Sequence, residues 1–301
     1  MKFPDNARVC FIGDSLTQAN QTLSRVIDFY NKNFAKNNIR FFNCGTSGGT
    51  YQSAIEFFYD DVLRHNPTHA VVAFGVNDSN RWFLNEKRSV GRISQLKTDF
   101  ENYKKNVEKY CKILQQNNIC VTLCTPPPYD EYTQTEETAM KGGYALILGY
   151  AQFIRGFAKE NKIPVCDYHD YITNCLQSDD RPIYSADRVH PTAHGYYLMA
   201  KCFLAHQGYV LDDEQPLPKY FEEWSLAVHK MRMIYGAEQM IIGDYTMDLE
   251  TKMSIMEQKL QNENWGATVF EPFIRVFVAE KRKQDLLYQA IDELYERDIL
   301  Q

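Results

Sequence analysis

Long apolar runs are missing from this 301-residue sequence. No stretch approaches the roughly 18 consecutive apolar residues that a membrane-spanning helix needs. The segment Met1–Asp14 also lacks the basic, apolar and small-residue regions of a secretory signal peptide. From these absences we expect a cytoplasmic protein that has no membrane-spanning helix.

An excess of positive charge is missing as well. Lys and Arg together number 33 against 39 Asp and Glu, which gives a formal net charge of −6. Nucleic acids and anionic membrane surfaces attract proteins through clustered basic side chains. The sequence therefore predicts no nucleic-acid partner and no membrane partner.

A clear metal-binding motif is the third absence, although the sequence contains eight cysteines. Cys10, Cys44 and Cys166 lie in apolar segments rich in β-branched residues, where cysteine usually acts as a small hydrophobic side chain. Cys120 and Cys124 are paired in sequence, but a strand at this spacing separates them by about 13 Å. We expect neither a metal site nor a cofactor.

The first two thirds of the sequence alternate short apolar runs with amphipathic helical patterns, such as the stripe Leu23, Val26, Ile27 and Tyr30. Five runs have the nearly continuous apolar character of strands that are buried on both faces: Val9–Ile12, Arg40–Phe42, Ala70–Phe74, Ile119–Leu123 and Ile163–Cys166. This alternation predicts an α/β fold in which a parallel sheet lies between two layers of helices. In such folds ligands bind at the carboxyl ends of the strands.

Beyond about residue 208 the pattern is helical only. Four amphipathic stripes follow one another, at residues 221–235, 249–260, 270–278 and 287–294. We therefore predict two parts, an α/β domain over residues 1–208 and a helical extension over residues 209–301. Homo-oligomer formation, a lid and internal packing are the three roles considered for the extension.

Polar loops follow the first three predicted strands, at the edge where ligands are expected. The segment Gly13-Asp14-Ser15-Leu16-Thr17 places a serine there, the segment 43–50 is rich in glycine, and Gly75-Val76-Asn77-Asp78 adds an amide. A serine hydroxyl can act as a nucleophile, and N–H groups that converge on one point can stabilise an oxyanion. Each segment alone would also suit a turn or a helix cap.

A fourth segment, Asp187-Arg188-Val189-His190-Pro191, contains an acid and a base close together. A nucleophilic serine needs a histidine that takes its proton and a carboxylate that orients the histidine. Asp187 and His190 can supply both functions from a single loop. With Ser15 upstream, the spacing favours a catalytic role for His190 over a structural one.

With these four segments in this order, the sequence resembles the SGNH, or GDSL-type, hydrolases, a family of serine esterases and acylhydrolases. The resemblance covers roughly residues 8–206. It implies that Ser15, Asp187 and His190 form a catalytic triad. It also implies an oxyanion hole made by the backbone of Ser15, the backbone of Gly48 and the side chain of Asn77. The family fold is a flavodoxin-like, five-stranded parallel sheet, which agrees with the five apolar runs.

The resemblance implies hydrolysis of a small carboxylic ester through an acyl-enzyme on Ser15. We expect Asp14, Arg81, Trp82 and Pro127 to contact the substrate, because they lie in or beside the loops at the ligand edge. Aromatic and polar residues together suit a sugar ring, so an O-acetylated carbohydrate is the first expectation. An acyl thioester is a close second, and the only partner expected for the active site is a small-molecule ester.

Three alternatives compete with this interpretation. Residues 45–49 match the G-x-S-x-G nucleophile elbow, which makes Ser47 a rival nucleophile, although too few strands precede it for that fold. His190 and His194 have the spacing of a zinc-binding helix, but Pro191 opens the helix and no Glu follows the first His. Finally, the glycines of residues 45–49 would let a non-catalytic module bind phosphate or another small ligand. No lysine follows these glycines as in a P-loop.

Overall fold

The computed structural model describes residues 2–84, 90–133, 139–211, 214–238, 247–261 and 271–281. The described chain divides into two compact units, residues 1–216 and residues 217–301. The predicted boundary between the two parts, residue 208, lies before the observed boundary at residue 216. The difference arises because the segment directly after residue 208 packs on the first unit. Tyr209 packs on Phe29 and Phe34 there, and the Glu214 carboxylate contacts His194.

The first unit is a parallel sheet with helices on both sides, as the sequence predicted. Its strands are β1 Arg8–Gly13, β2 Arg40–Gly45, β3 His69–Ala73, β4 Cys120–Cys124 and β5 Val165–Cys166. Its helices are α1 Ser15–Gln18, α2 Gln21–Phe34, α3 Tyr51–Glu56, α4 Val90–Gln116, α5 Gly143–Asn161, α6 Tyr168–Ser178 and α7 Ala193–His206. The strand order is β2-β1-β3-β4-β5 and all pairs are parallel, which is the flavodoxin-like arrangement.

The two faces of the sheet are covered by different helices. On one face α2 and α6 pack against α7, and on the other α3 packs against α4, with α5 against β4 and β5. Strand residues alternate between the faces, so that Phe11 packs on Phe203 of α7 while Ile12 belongs to the core cluster that contains Tyr103 and Tyr110 of α4. Both layers bury a continuous apolar core, which holds the strand ends in fixed register.

The order of the strands decides which loops meet. Because β1 lies between β2 and β3, the loops that follow these three strands are neighbours at one edge of the sheet. The pairing continues to the ends of the strands, with Gly13 opposite both Gly45 and Ala73. A side chain at Gly45 would collide with the α1 turn, since its Cβ would lie 2.3 Å from the Gln18 nitrogen. Glycine at this position therefore lets the first two loops pack together.

The second unit contains the helices α8 Lys219–Ala237, α9 Leu249–Gln261 and α10 Glu271–Glu280. These helices share an apolar core that includes Ile234, Met256 and Phe277. Three of the four predicted amphipathic stripes thus correspond to helices. Phe270 and the stripe at residues 287–294 lie outside the described residues. No helix in the described part of the chain is both long enough and apolar enough to cross a membrane.

Candidate active site

Ser15 is the first residue of α1 and follows β1 directly. Asp14 caps this short helix by accepting a hydrogen bond from the Leu16 N–H at 3.0 Å. The cap fixes the turn and leaves the Ser15 side chain at the edge of the sheet. The Ser15 Oγ lies 2.8 Å from the His190 Nε2, although the two residues are 175 positions apart in the chain.

The other ring nitrogen of His190 contacts Asp187. The His190 Nδ1 lies 2.5 Å from the Asp187 Oδ2. The second carboxylate oxygen of Asp187 accepts three further hydrogen bonds, from the N–H groups of Val189 and His190 and from the Ser185 hydroxyl, at 2.8 to 3.0 Å. The carboxylate is therefore held on both sides, and Ser15, His190 and Asp187 form a continuous chain of hydrogen bonds.

The charge on Asp187 fixes the direction of these hydrogen bonds. Partial burial pushes the pKa of Asp187 up, but the hydrogen bonds from His190, Val189 and Ser185 outweigh it and lower the pKa to about 2. At neutral pH the carboxylate can only accept, so the Nδ1 of a neutral His190 carries the proton. The Nε2 is then the acceptor for the Ser15 hydroxyl, which is the arrangement of a general base beside a nucleophile.

The three N–H donors expected for the oxyanion hole lie at or after the ends of β1, β2 and β3. Gly48 has a φ of +74°, a left-handed conformation that favours glycine, and it is exposed at the loop surface. Among the described residues, the N–H groups of Ser15 and Gly48 donate to no protein acceptor. The Asn77 Nδ2 donates a hydrogen bond to the Gly49 carbonyl at 3.1 Å, which connects the loop after β3 to the loop after β2. The second N–H of the Asn77 amide remains available as a donor.

The rival serine, Ser47, lies in the same loop as Gly48 but has different partners. Its N–H donates to the buried Gln18 side chain at 2.6 Å. Among the described contacts, none joins the Ser47 hydroxyl to a histidine. The general-base geometry therefore belongs to Ser15.

Arg188, inside the acid and base loop, was not singled out from the sequence. It has a φ of +66° and is 4% exposed, so both its backbone and its side chain are constrained. Its guanidinium donates to the carbonyls of Asp130 and Thr133 at 3.1 and 2.7 Å, and its own carbonyl accepts from the Asp130 N–H. Arg188 thus fastens the loop that carries Asp187 and His190 to the loop that follows β4.

The four residues expected to contact the substrate fall into two groups. Asp14 is 2% exposed and Pro127 is buried, and both line an enclosed cavity of about 30 Å³, so neither presents an open surface. Trp82 is 43% exposed, and the guanidinium of the half-buried Arg81 lies 5.7 Å from its ring centre. Arg81 and Trp82 therefore remain the candidates for substrate contact, because burial excludes the other two.

Two buried carboxyl groups lie close to the serine. Burial raises the pKa of Asp14 to about 6, even though the Leu16 N–H and the nearby charges of His190 and Arg81 favour its ionised form. Burial likewise raises the pKa of Asp78 to about 7, against the hydrogen bond that its Oδ1 accepts from the Tyr51 N–H at 3.0 Å. The second oxygen of Asp78, Oδ2, is buried without a hydrogen-bond partner.

The raised pKa of Asp78 predicts a stability that falls with rising pH. A carboxyl that binds its proton more tightly in the folded state contributes stability that is complete below its ordinary pKa of 3.8 and is lost as the pH rises through about 7. We expect Asp78→Asn, which cannot ionise, to be more stable than the unchanged protein by on the order of 4 kcal/mol at pH 8 and nearly equal in stability at pH 4. Urea unfolding at the two pH values measures this difference, and a constant difference would contradict it.

His194 contacts different residues from those that His190 contacts. The two ring nitrogens of His194 each lie 2.7 Å from a carboxylate oxygen, one of Glu214 and one of Asp179. Arg181 contacts the same two carboxylates. His194 is therefore a buried residue whose ring contacts two partly exposed carboxylates. Within the described ranges, no group of three or more His, Cys, Asp or Glu side chains is arranged to hold a metal ion.

The sequence model of the GDSL-like lipase/acylhydrolase family matches residues 11–198. This range includes every segment that contributes to the site described above. No curated protein sequence matches the chain significantly.

Solved structures share the fold at low sequence identity. A gut microbial diltiazem-metabolizing enzyme aligns at 15% identity with a TM-score of 0.74, covering 99% of this chain and 96% of its own. The acetylxylan esterase Axe2 from Geobacillus stearothermophilus aligns at 19% identity with a TM-score of 0.58, covering 71% of this chain and 100% of its own. The α/β-hydrolase enzyme LAE5 from the metagenome of Lake Arreo, Spain, aligns at 21% identity with a TM-score of 0.57, covering 70% and 99%.

Proposed function

The chain belongs to the GDSL-like lipase/acylhydrolase family and is a carboxylic ester hydrolase, and on this premise we propose that it cleaves its ester through a covalent acyl-enzyme on Ser15. The observation that carries the proposal is the continuous hydrogen-bonded chain from the Ser15 Oγ through His190 to Asp187. A hydrolase that activated water directly would not need a serine hydroxyl in contact with the base.

In the first step the Ser15 Oγ attacks the ester carbonyl while its proton moves to the His190 Nε2. The tetrahedral oxyanion accepts hydrogen bonds from the N–H groups of Ser15 and Gly48 and from the Asn77 amide. The imidazolium, which Asp187 stabilises, then gives the proton to the departing alcohol. Water then attacks the acyl carbon as His190 takes its proton. The bond to the Ser15 Oγ breaks, the acid leaves, and His190 returns the proton to the Oγ.

The proposed acyl group is a small one, an acetyl, because an acetylxylan esterase is among the proteins of similar fold. The exposed Trp82 ring beside the Arg81 guanidinium gives a flat apolar surface next to a hydrogen-bond donor, which suits the ring of a sugar alcohol component.

We propose O-acetylated oligosaccharides as the substrate class, which is also supported by the acetylxylan esterase among the proteins of similar fold. A short acyl thioester is the second candidate, because the same three residues would cleave it. A screen of acetylated xylo-oligosaccharides, short-chain esters and acetyl thioesters separates the two. Faster turnover of the thioester, at matched concentrations, would favour the second candidate.

Intact-mass spectrometry of the protein mixed rapidly with 4-nitrophenyl acetate tests the covalent step. We expect a mass increase of one acetyl group, located at Ser15 after digestion, and labelling of Ser15 by a fluorophosphonate probe. A non-catalytic phosphate-binding module would show neither. An acetyl group found on Ser47 instead would contradict the assignment of the nucleophile.

Arg188 is expected to act as a positioning residue in this reaction. Its bonds to Asp130 and Thr133 hold the His190 loop, and a base displaced by about 1 Å can cost on the order of a hundredfold in rate. We expect Arg188→Ala to lower kcat by about tenfold to a hundredfold with little change in KM, and Arg188→Lys to recover part of the loss. Arg188→Gly, which tolerates the positive φ, should resemble Arg188→Ala. Steady-state kinetics and thermal unfolding, measured on the same variants, distinguish a positioning role from a loss of stability alone. If stability alone were lost, kcat would stay within twofold of the unchanged protein.

A further inference from the structure

We propose that a polar groove beside Asn77 binds the hydroxyl groups of an oligosaccharide, an inference that rests on the proposed function and specifies its substrate site. The groove has a volume of about 500 Å³ and lies in the first unit. Half of its ten lining residues carry a side-chain carboxamide, namely Gln52, Asn77, Asn80, Asn102 and Asn106. We call it the amide groove.

The amide groove is joined to the reacting centre through Asn77. One wall is the β3 loop, which contains Asn77 and Asn80, and the opposite wall is the middle of α4. Asn77 contributes to the groove and, through its Nδ2, also contacts the glycine loop beside Ser15. A substrate whose acetyl group reaches Ser15 past Asn77 therefore has the groove next to it for the rest of the molecule.

The chemistry of the lining selects a neutral ligand rich in hydroxyl groups. A carboxamide donates and accepts hydrogen bonds at the same time, and so does a sugar hydroxyl. The lining contains two carboxyl groups, Asp78 and Asp99, and one lysine, Lys105, so the groove has no surplus of positive charge that would attract a phosphate or a polyanion. None of the ten lining residues has an aliphatic hydrocarbon side chain, so the groove does not suit a fatty acyl chain. The volume lies within the range of sites for small molecules.

Some of the polar groups in the lining are available to a ligand. Asn102 and Asn106 are four residues apart on α4 and therefore lie on one face of a helix. Among the described residues neither side chain has a hydrogen-bond partner, whereas Asn80 and Asp99 bond to each other at 2.8 Å. Beneath this face, the Asp78 Oδ2 and the hydroxyl of Tyr103, which is 1% exposed, are buried without partners. Buried polar atoms of this kind are uncommon unless something else satisfies them.

The test compares two substrates in one variant. We expect the double substitution Asn102→Ala and Asn106→Ala to lower the ratio of kcat/KM for acetylated xylotriose to kcat/KM for 4-nitrophenyl acetate by about tenfold, mainly through KM. The loss of two ordinary hydrogen bonds corresponds to a factor of about this size. The matched control is Gln115→Ala, which removes an exposed carboxamide from the same helix outside the groove. A ratio within twofold of the unchanged protein in the double variant would overturn the proposal.

Binding of the sugar to the amide groove can also be measured without forming the acyl-enzyme. Unacetylated xylotriose is titrated calorimetrically into the Ser15→Ala protein with and without the double substitution. Binding that weakens about tenfold supports the amide groove, and equal binding, or none up to tens of millimolar sugar, overturns it. Failure of the proposed function would appear elsewhere, as hydrolysis of 4-nitrophenyl acetate that survives Ser15→Ala.

Discussion

Ser15→Ala is expected to lower kcat/KM for 4-nitrophenyl acetate by about four orders of magnitude or more, with the fold unchanged. The reason is that the Ser15 hydroxyl is placed to accept the acyl group while its proton moves to His190, 2.8 Å away. What remains is attack by water, aided only by the N–H donors. Initial rates measured at high enzyme concentration, with circular dichroism as the folding check, give the size of the loss.

Ser47→Ala is the matched control for this experiment. Both serines lie at the carboxyl edge of the sheet, and both are partly buried. The Ser47 contact with Gln18 uses the backbone N–H, which alanine retains. We therefore expect activity within about twofold of the unchanged protein. If Ser47→Ala were inactive while Ser15→Ala hydrolysed the ester normally, the nucleophile would be Ser47.

Asn77→Ala is expected to lower kcat by about 10² to 10³, because removal of one oxyanion-hole donor has that effect in enzymes of this chemistry. The side chain has a second function, since its Nδ2 holds the Gly49 carbonyl and hence the loop that contains Gly48. Both effects act on the tetrahedral intermediate more than on the bound substrate. The loss should therefore appear in kcat for 4-nitrophenyl acetate, whose acetyl group needs no groove.

Rapid-quench kinetics checks the assignment of this loss to the chemical step. In Asn77→Ala we expect the acylation burst to slow in parallel with kcat. A decrease of less than about tenfold, with thermal unfolding unchanged, would show that the Asn77 amide does not reach the oxyanion. A slow burst together with a much lower unfolding temperature would instead point to the loop contact.

The architecture of the first unit could be predicted from the sequence because the apolar runs of strands and the apolar stripes of helices are local patterns. Each of the five apolar runs became a strand of the sheet, and the segments with Ser15 and Asn77 follow β1 and β3 as expected, whereas His190 lies in the connection between α6 and α7. The first and last residues of the strands were predicted less accurately. The second strand continues to Gly45, beyond the predicted end at Phe42, because its pairing with β1 lasts to Gly13. The fifth pairs only at Val165 and Cys166, because the next residue, Asp167, already caps α6.

The supporting residues of the site could not be predicted in the same way. The local sequence around Arg188 does not distinguish a buried residue with a left-handed backbone conformation from an exposed loop residue. The reason is that its partners, Asp130 and Thr133, belong to a loop that is distant in the chain. The same holds for His194, whose burial depends on Glu214 and Asp179. The substrate contact predicted for Asp14 and Pro127 disagrees with their burial, which depends on the packing of elements around them.

The long separation of Ser15 and His190 in the chain has a consequence for folding kinetics. Contacts between distant residues form only after the entropy cost of closing the intervening loop has been met, and they slow folding. Here the nucleophile and the base are 175 residues apart. During synthesis the amino-terminal strand can pair long before the segment containing His190 leaves the ribosome. On refolding, the recovery of hydrolysis should therefore lag behind the recovery of helix content.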